Sequence, residues 1–319
     1  MAYKTIIGFG ALAAIEATYG AGGNPSPATD GIQGIEPPTM QVEYAYDGER
    51  PTPPGTAGRQ ALASPVGEHA TGSVACEMRG AGVAYTSSIT PPNIHPLLRA
   101  SGFTATFDDG TWRYRPTPID VAYDSATLRV YTRQERFDVR GMLCDYEITM
   151  EDGSPGTIRF DFDGLPVLPV DETIPAITYN STLPPSCTDI QFQLGDVDNL
   201  VVRNLAIQGN REKAPRLDLN AVDGHAGFAA GRREPLLTAT VEATPLATFD
   251  PHQLAKDKTV LPCSFVVGSQ VGNRWGVNLN VQVMSVQRSE DGPVATWDLE
   301  LAIVNTTPFA NDDIELWMS

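Results

Sequence analysis

The chain reads as a mainly β protein built from two copies of one sheet-rich unit. Three observations carry that reading. Its 29 glycines and 26 prolines follow no collagen-like period, apolar and polar residues alternate in short runs, and one pattern of runs and turns occurs twice within 319 residues. Apolar residues make up 41% of the chain, enough for packed cores, and charged residues 19%, too few for a disordered polyelectrolyte. The formal charge is −17, from 22 Lys and Arg against 39 Asp and Glu. A sequence-independent grip on nucleic acid needs clustered cations, so this field argues against it.

Residues 1–40 are small, Gly/Pro-rich and unperiodic, and read as an extended N-terminal arm that orders only where a neighbour covers it. Deleting it is therefore expected to leave a folded, assembly-defective chain. The stretch Ile6–Ile15 is too glycine-rich and too weakly basic for a signal peptide, and no run approaches a membrane span, so a soluble product made in the cytoplasm is expected. Residues 41–165 form the first β domain. Gln41–Tyr46 alternates as a strand, residues 49–65 are a long Pro/Gly/Thr loop, and Gly72–Met78 resumes as a strand. A short helix follows, with Asn93 able to cap it, Ile94, Leu97 and Leu98 on one face, Pro96 in the first turn, and Gly102 suited to the residue after the C-cap. Thr127–Tyr131 is the next strand. Met142, Cys144, Tyr146, Ile148 and Met150 then alternate with Asp145, Glu147 and Thr149, and after the turn Glu151-Asp152-Gly153, Ile158, Phe160 and Phe162 alternate with Arg159, Asp161 and Asp163. This predicts a long β-hairpin.

Residues 166–187 are punctuated by proline and read as a linker. Residues 188–319 then repeat the grammar. Strands are predicted at Ile190–Leu194, Leu200–Gln208 and Leu236–Glu242. A short helix opens at Asp250 as N-cap, with Pro251 first inside, Gln253 as capping-box partner and Phe249 placed to staple onto Leu254. A second hairpin runs from Val277–Val286 through Glu290-Asp291-Gly292 to Trp297, Leu299, Leu301 and Ile303, with Asp298 and Glu300 between them. Sliding the chain so that the two Glu-Asp-Gly turns coincide also lays Ile158, Phe160 and Phe162 over Trp297, Leu299 and Leu301, and Asp161 over Glu300. An internal duplication accounts for turn, phase and preceding helix together.

Sites of chemistry are scarce. The sequence holds no nucleophile elbow, metalloprotease helix, phosphate loop or complete dinucleotide fingerprint. The histidines His69, His95, His225 and His252 stand singly. Cys76, Cys144, Cys187 and Cys263 are too far apart for a metal or redox motif and read as buried free thiols. Asp120, Asp124, Asp145, Asp161 and Asp163 could supply a glycosidase pair, but the tryptophans that would pad such a site are scattered. No catalytic, cofactor-binding or metal-ligating residue is expected, and the chain reads as a scaffold whose uncovered sheet edges favour oligomerisation.

Several segments carry a family resemblance: Gly8-Phe9-Gly10 with Glu16-Ala17-Thr18-Tyr19-Gly20, His95–Phe103 on the helix, Val139–Gly164 in the hairpin, Asn199–Gly209, Asp218-Leu219-Asn220, and Gly231–Pro235. With these the chain resembles the major tail tube proteins of long-tailed, non-contractile bacteriophages. The resemblance implies a β-sandwich with a flanking helix and a long hairpin. Subunits of such a protein close their inner sheets into a ring-shaped β-barrel, and the rings stack into a tube that conducts double-stranded DNA without binding it specifically. Two such folds per chain imply a trimeric, pseudo-hexameric ring; one fold implies a hexamer. Implied partners are further copies and the tail terminator, tape-measure and baseplate proteins, in the virion tail, after assembly in the host cytoplasm and without a membrane. In a closed barrel the strict alternation of side chains puts Asp145, Glu147, Asp161, Asp163, Asp298 and Glu300 together on one wall, expected to be the lumen, where carboxylates repel phosphate. The turns Glu151-Asp152-Gly153 and Glu290-Asp291-Gly292 are the expected assembly loops. Another virion β-protein, such as a capsid decoration or tail terminator protein, and a secreted carbohydrate-binding β-sandwich remain as alternatives.

Overall fold

A computed structural model describes residues 8–46, 65–88, 90–118, 120–132, 134–188, 190–197, 200–221, 224–307 and 310–319. Among the described residues strands account for 55% and helices for 5%, and the sheets are antiparallel. In the first half the elements are β1 (Phe9–Ile15), β2 (Gly31–Ile32), β3 (Thr39–Tyr46), β4 (Pro65–Glu77), α1 (His95–Ala100), β5 (Phe103–Asp108), β6 (Thr111–Pro116), β7 (Ala126–Thr132), β8 (Arg136–Glu151) and β9 (Thr157–Val170). In the second they are β10 (Gln191–Leu194), β11 (Val202–Gln208), β12 (Arg211–Leu217), β13 (His225–Arg233), β14 (Leu236–Glu242), α2 (Pro251–Asp257), β15 (Val260–Val267), β16 (Trp275–Asp291), β17 (Val294–Ile303) and β18 (Ile314–Met318).

The two halves order their strands alike. Across the first the neighbours run β1-β7-β8-β9-β4-β3, and across the second β10-β15-β16-β17-β14-β11. The chain visits these positions in the same succession, with α1 before β7 and α2 before β15. Both Glu-Asp-Gly sequences sit at the turn of the longest hairpin of their half, β8–β9 and β16–β17. Gly153 has φ +75 and Gly292 φ +61, the left-handed backbone these tight reversals require.

Contrary to the expectation of separate domains, the halves share one sheet. β11 pairs with β14 on one side and with β8 on the other, in the register Ile207↔Ile148 and Gln208↔Glu147. The result is a 16-stranded sheet, beside which β12 and β13 make a separate two-stranded ribbon. One continuous cluster of buried apolar side chains underlies it, from Phe160 and Phe162 through Leu205 and Ile207 to Leu299 and Leu301. Helix α1 adds Leu97 and Leu98, both fully buried, each contributing about 1.5–3 kcal/mol.

The N-terminal segment is a second correction. Residues 8–40 are not an arm but hold β1, a strand flanked by β2 and β7. Ala11, Leu12 and Ala13 are all fully buried, and a strand covered on both faces loses the alternation that would announce it. Its small residues follow from close packing: a Cβ on Gly10 would lie 2.4 Å from Ile177 Cδ1. Removing residues 1–40 would therefore strip an interior strand. The neighbour pressed against β1 comes from the proline-rich stretch, which is not a free linker. Its first residues extend β9, with Arg136 opposite Val170, and the rest is fastened to the first half. Thr178 N–H donates to the Pro27 carbonyl at 2.9 Å, Asn180 Nδ2 to Gly80 O at 2.7 Å, and Cys187 N–H to Ser154 O at 2.8 Å.

Two smaller differences concern the helix ends. Asn93 does not cap α1; its side chain donates to Gly31 O at 3.2 Å, and Ile94 stands at the N-cap without a side-chain bond. At α2 the Asp250 cap forms as expected, accepting from Gln253 N–H at 3.0 Å, but the Gln253 side chain turns forward to Asp257 rather than back.

Candidate functional site

Cross-strand register brings the acidic residues of both hairpins to one face of the shared sheet. Glu147 lies opposite Arg159 on β9 and Gln208 on β11, Gln208 opposite Leu236, and Leu236 opposite Ala302. Alternation then places Asp145, Asp161 and Asp163 with Glu147, and Asp298 and Glu300 with Ala302, all away from the apolar core. Threonines 149, 157, 238 and 240 and serines 285 and 289 fill the positions between them. The result is a broad polar wall.

The two ends of this wall differ in cover. On the first hairpin, Asp145 faces Asp161 directly, a like-charge pair that costs energy unless cations stand near. β12 supplies them. Lys213 Nζ lies 2.5 Å from Asp163 Oδ2 and donates to the Asp161 carbonyl at 2.8 Å, while Arg211 N–H donates to Asp145 at 3.1 Å. Burial lifts the Asp145 carboxyl above its ordinary value, against the pull of the N–H donors and of Lys213 and Arg211. Asp161 is held by Arg159 at 2.9 Å and stays about half exposed, and Glu147 accepts from Gln208 Nε2 at 3.0 Å. On the second hairpin, Asp298 accepts from Thr240 at 2.8 Å and Ser289 at 2.6 Å, whereas Glu300 borders an open cavity of about 950 Å³ with Arg232, Arg233, Glu234 and Met284. The turn residues project past the wall. A Cβ on Gly153 or Gly292 would meet nothing within 4 Å, and Asn204 of β11 lies opposite Glu151. Asp152 follows in the first turn, and Glu290 and Asp291 close the second against Ala295 and Val294.

Sequence reasoning missed the clamp formed by β12 and β13, since Arg211–Leu217 carries a proline and no alternation. It also gave the Glu16 carboxylate no role. That carboxylate is buried and accepts four bonds: from Ser125 and Thr127 at 2.6 Å each, from Gly20 N–H at 2.8 Å, and from Gly141 N–H of β8 at 2.9 Å. Burial alone would raise its pKa, but these donors outweigh burial and hold it below the usual 4.5. Tyr19 fastens the same region to the second half by accepting from Phe228 N–H at 2.6 Å.

The other singled-out groups are packing elements. All four cysteines are buried and free, and burial raises the Cys76, Cys144 and Cys263 thiols to about 12 and Cys187 to about 11. His95 hydrogen-bonds Tyr114 at 2.9 Å, and burial lowers its pKa to about 4. Asp124 pairs with Arg99 of α1, and His69 with Glu43 at 3.4 Å. Among the described residues no group of three or more His, Cys, Asp or Glu side chains is placed to hold a metal ion. No protein-family model matches the chain, and no curated protein matches it.

Proposed function

We propose that the chain is a structural subunit of a ring, and that stacked rings form the tail tube through which phage DNA passes. The observation that carries this reading is the pairing of β8 with β11. It joins two halves of like strand order into one sheet and gives that sheet a single acidic, hydroxyl-rich face. Duplication of one tail-tube fold accounts for the shared order, and two folds per chain make the ring a trimer of pseudo-hexameric form. A wall bearing Asp145, Glu147, Asp161, Asp163, Asp298 and Glu300 suits a conduit, because carboxylates repel phosphate and keep the passing duplex from sticking. Negative-stain images of the concentrated protein test the reading. Stacked rings with an axial channel are expected, and a monodisperse monomer at all concentrations overturns it. In assembled particles, Asp161→Lys with Glu300→Lys should slow DNA ejection, most at low ionic strength where screening is weak.

A further inference from the structure

The long strands β8 and β16 hold equivalent places in the two halves, yet only one has both edges filled. On β8, one edge takes β9 along its length and the other takes β7 over Arg136–Met142 and β11 over Glu147–Glu151. On β16, the edge bearing β15 is paired only over Trp275–Gln282; helix α2, which leads into β15, contacts β16, but among the described residues no strand follows β15 along that edge. The vacant stretch is exposed. Met284 is 63% accessible, and Ser285, Gln287, Arg288 and Glu290 are exposed as well, whereas Cys144, Tyr146, Ile148 and Met150 on β8 are buried. At the far end of the sheet, β3 is the counterpart of β11 and has the complementary vacancy. Among the described residues it pairs with β4 alone, while β11 is held on both sides.

We infer that the free edge of β16 receives β3 from a second copy of this chain, repeating between copies the contact that β8 and β11 make within one. The inference rests on the ring reading and names its contact. The register follows from rows of paired residues. Phe162–Gly72–Met40 in the first half corresponds to Leu301–Leu237–Ile207 in the second, so Met40 stands where Ile207 does. Ile148–Ile158 corresponds to Arg288–Trp297, so Arg288 stands where Ile148 does. Since Ile207 pairs with Ile148, Met40 pairs with Arg288, Gln41 with Gln287, Thr39 with Ser289 and Val42 with Val286. Like faces meet: Met40 and Val42 join Val286 on the core side, and Thr39, Gln41, Gln287 and Ser289 join the polar wall. The same register brings together Tyr44 and Met284, two large apolar side chains 52% and 63% exposed in the single chain. Pro38, which has no N–H to give, ends the pairing. The two edges are different surfaces, so the contact is head-to-tail, which rules out a two-fold dimer and makes a ring where the rotation between copies closes.

Disulfide trapping tests the register. Gly209 N–H donates to Tyr146 O, so the neighbouring pair Gln208–Glu147 is of the close, non-hydrogen-bonded kind, and its intermolecular counterpart is Gln41–Gln287. The full chain carrying Gln41→Cys and Gln287→Cys should give, under mild oxidation, a ladder of covalent multimers ending at the ring size. Either single variant, and the out-of-register pair Glu36→Cys with Gln287→Cys, should give none. A second variant, Arg288→Pro, removes an edge N–H that no strand among the described residues uses. It should keep the wild-type thermal midpoint and lose self-association. Rings or tubes of the double-cysteine variant that form without cross-linking residues 41 and 287 under oxidation, or rings that persist with Arg288→Pro, overturn the edge pairing and leave the tube reading standing. A cross-linked ring that never stacks supports the pairing and removes the tube.

Discussion

The ends of the two long hairpins start from similar sequence and finish in different surroundings. At the first, Ile148 and Met150 are 1% and 2% exposed beneath β11, and the acidic face above them is clamped by Lys213 and Arg211. At the second, Arg288 and Glu290 stand at the matching inward positions and are exposed, and Met284 and Glu300 border an open cavity. A hairpin of alternating residues buries one face against its own core, but its edge is satisfied only by a strand from elsewhere. In this chain the second half supplies that strand to the first, and among the described residues no strand supplies it to the second.

The largest effect should come from breaking the covered end while its counterpart is changed alike. Ile207→Asp puts an unpaired carboxylate into a fully buried site between β8 and β14, and should cost about 3–5 kcal/mol in urea unfolding, enough to unfold much of the protein. Met40→Asp, on the half-buried edge strand β3, should cost about 1 kcal/mol in the same measurement and act mainly on association, read by sedimentation. Equal costs would show that the two strands are not in contrasting environments.

Next in size is Glu16→Ala, which strands the donors that tie the first hairpin at Gly141. About 2–4 kcal/mol of lost stability is expected, with a distinct pH signature. Because its folded pKa lies below the unfolded value, the Glu16 contribution is fully present above pH 4.5 and disappears as pH falls through the folded value. Thermal melts of wild type and variant should therefore converge in acid. Lys213→Ala should cost about 2 kcal/mol by leaving Asp163 unpaired beneath β12, and limited proteolysis should then cut first between β12 and β13. A cleavage pattern like that of wild type would mean the clamp is held by other contacts.

The smallest expected change is Asp145→Asn. Its carboxyl has a raised folded pKa, so the ionised form weakens the fold above that pKa, and the penalty is relieved as pH falls through it. The amide should be neutral or stabilising by under about 1 kcal/mol at pH 7, with the difference from wild type fading in acid. A loss of stability at neutral pH would show that the bond from Arg211 N–H needs a full charge.

Much of the architecture was legible because it is local. β14 begins and ends at the residues its alternation marks, the Asp250 cap starts α2, and the apolar phases of β8, β9 and β17 decide which side chains are buried. β1 was illegible for the opposite reason: covered on both faces, its small residues carry no period. The ribbon of β12 and β13 gave no signal because it leans on the acidic side of a distant hairpin rather than on an apolar core of its own. Of the acidic wall, sequence identified the members and their common phase on each hairpin, but not the cations that cover half of it.

What the chain's sequence determined, then, is which side of each strand meets the core and where each hairpin turns, since both depend on side chains two residues apart and on the backbone freedom of Gly153 and Gly292. Only the tertiary structure decided which strands stand side by side. Backbone N–H and C=O groups are the same at every position, so nothing in the residues of β8 names β11 as its neighbour, and the choice follows from how the whole chain packs.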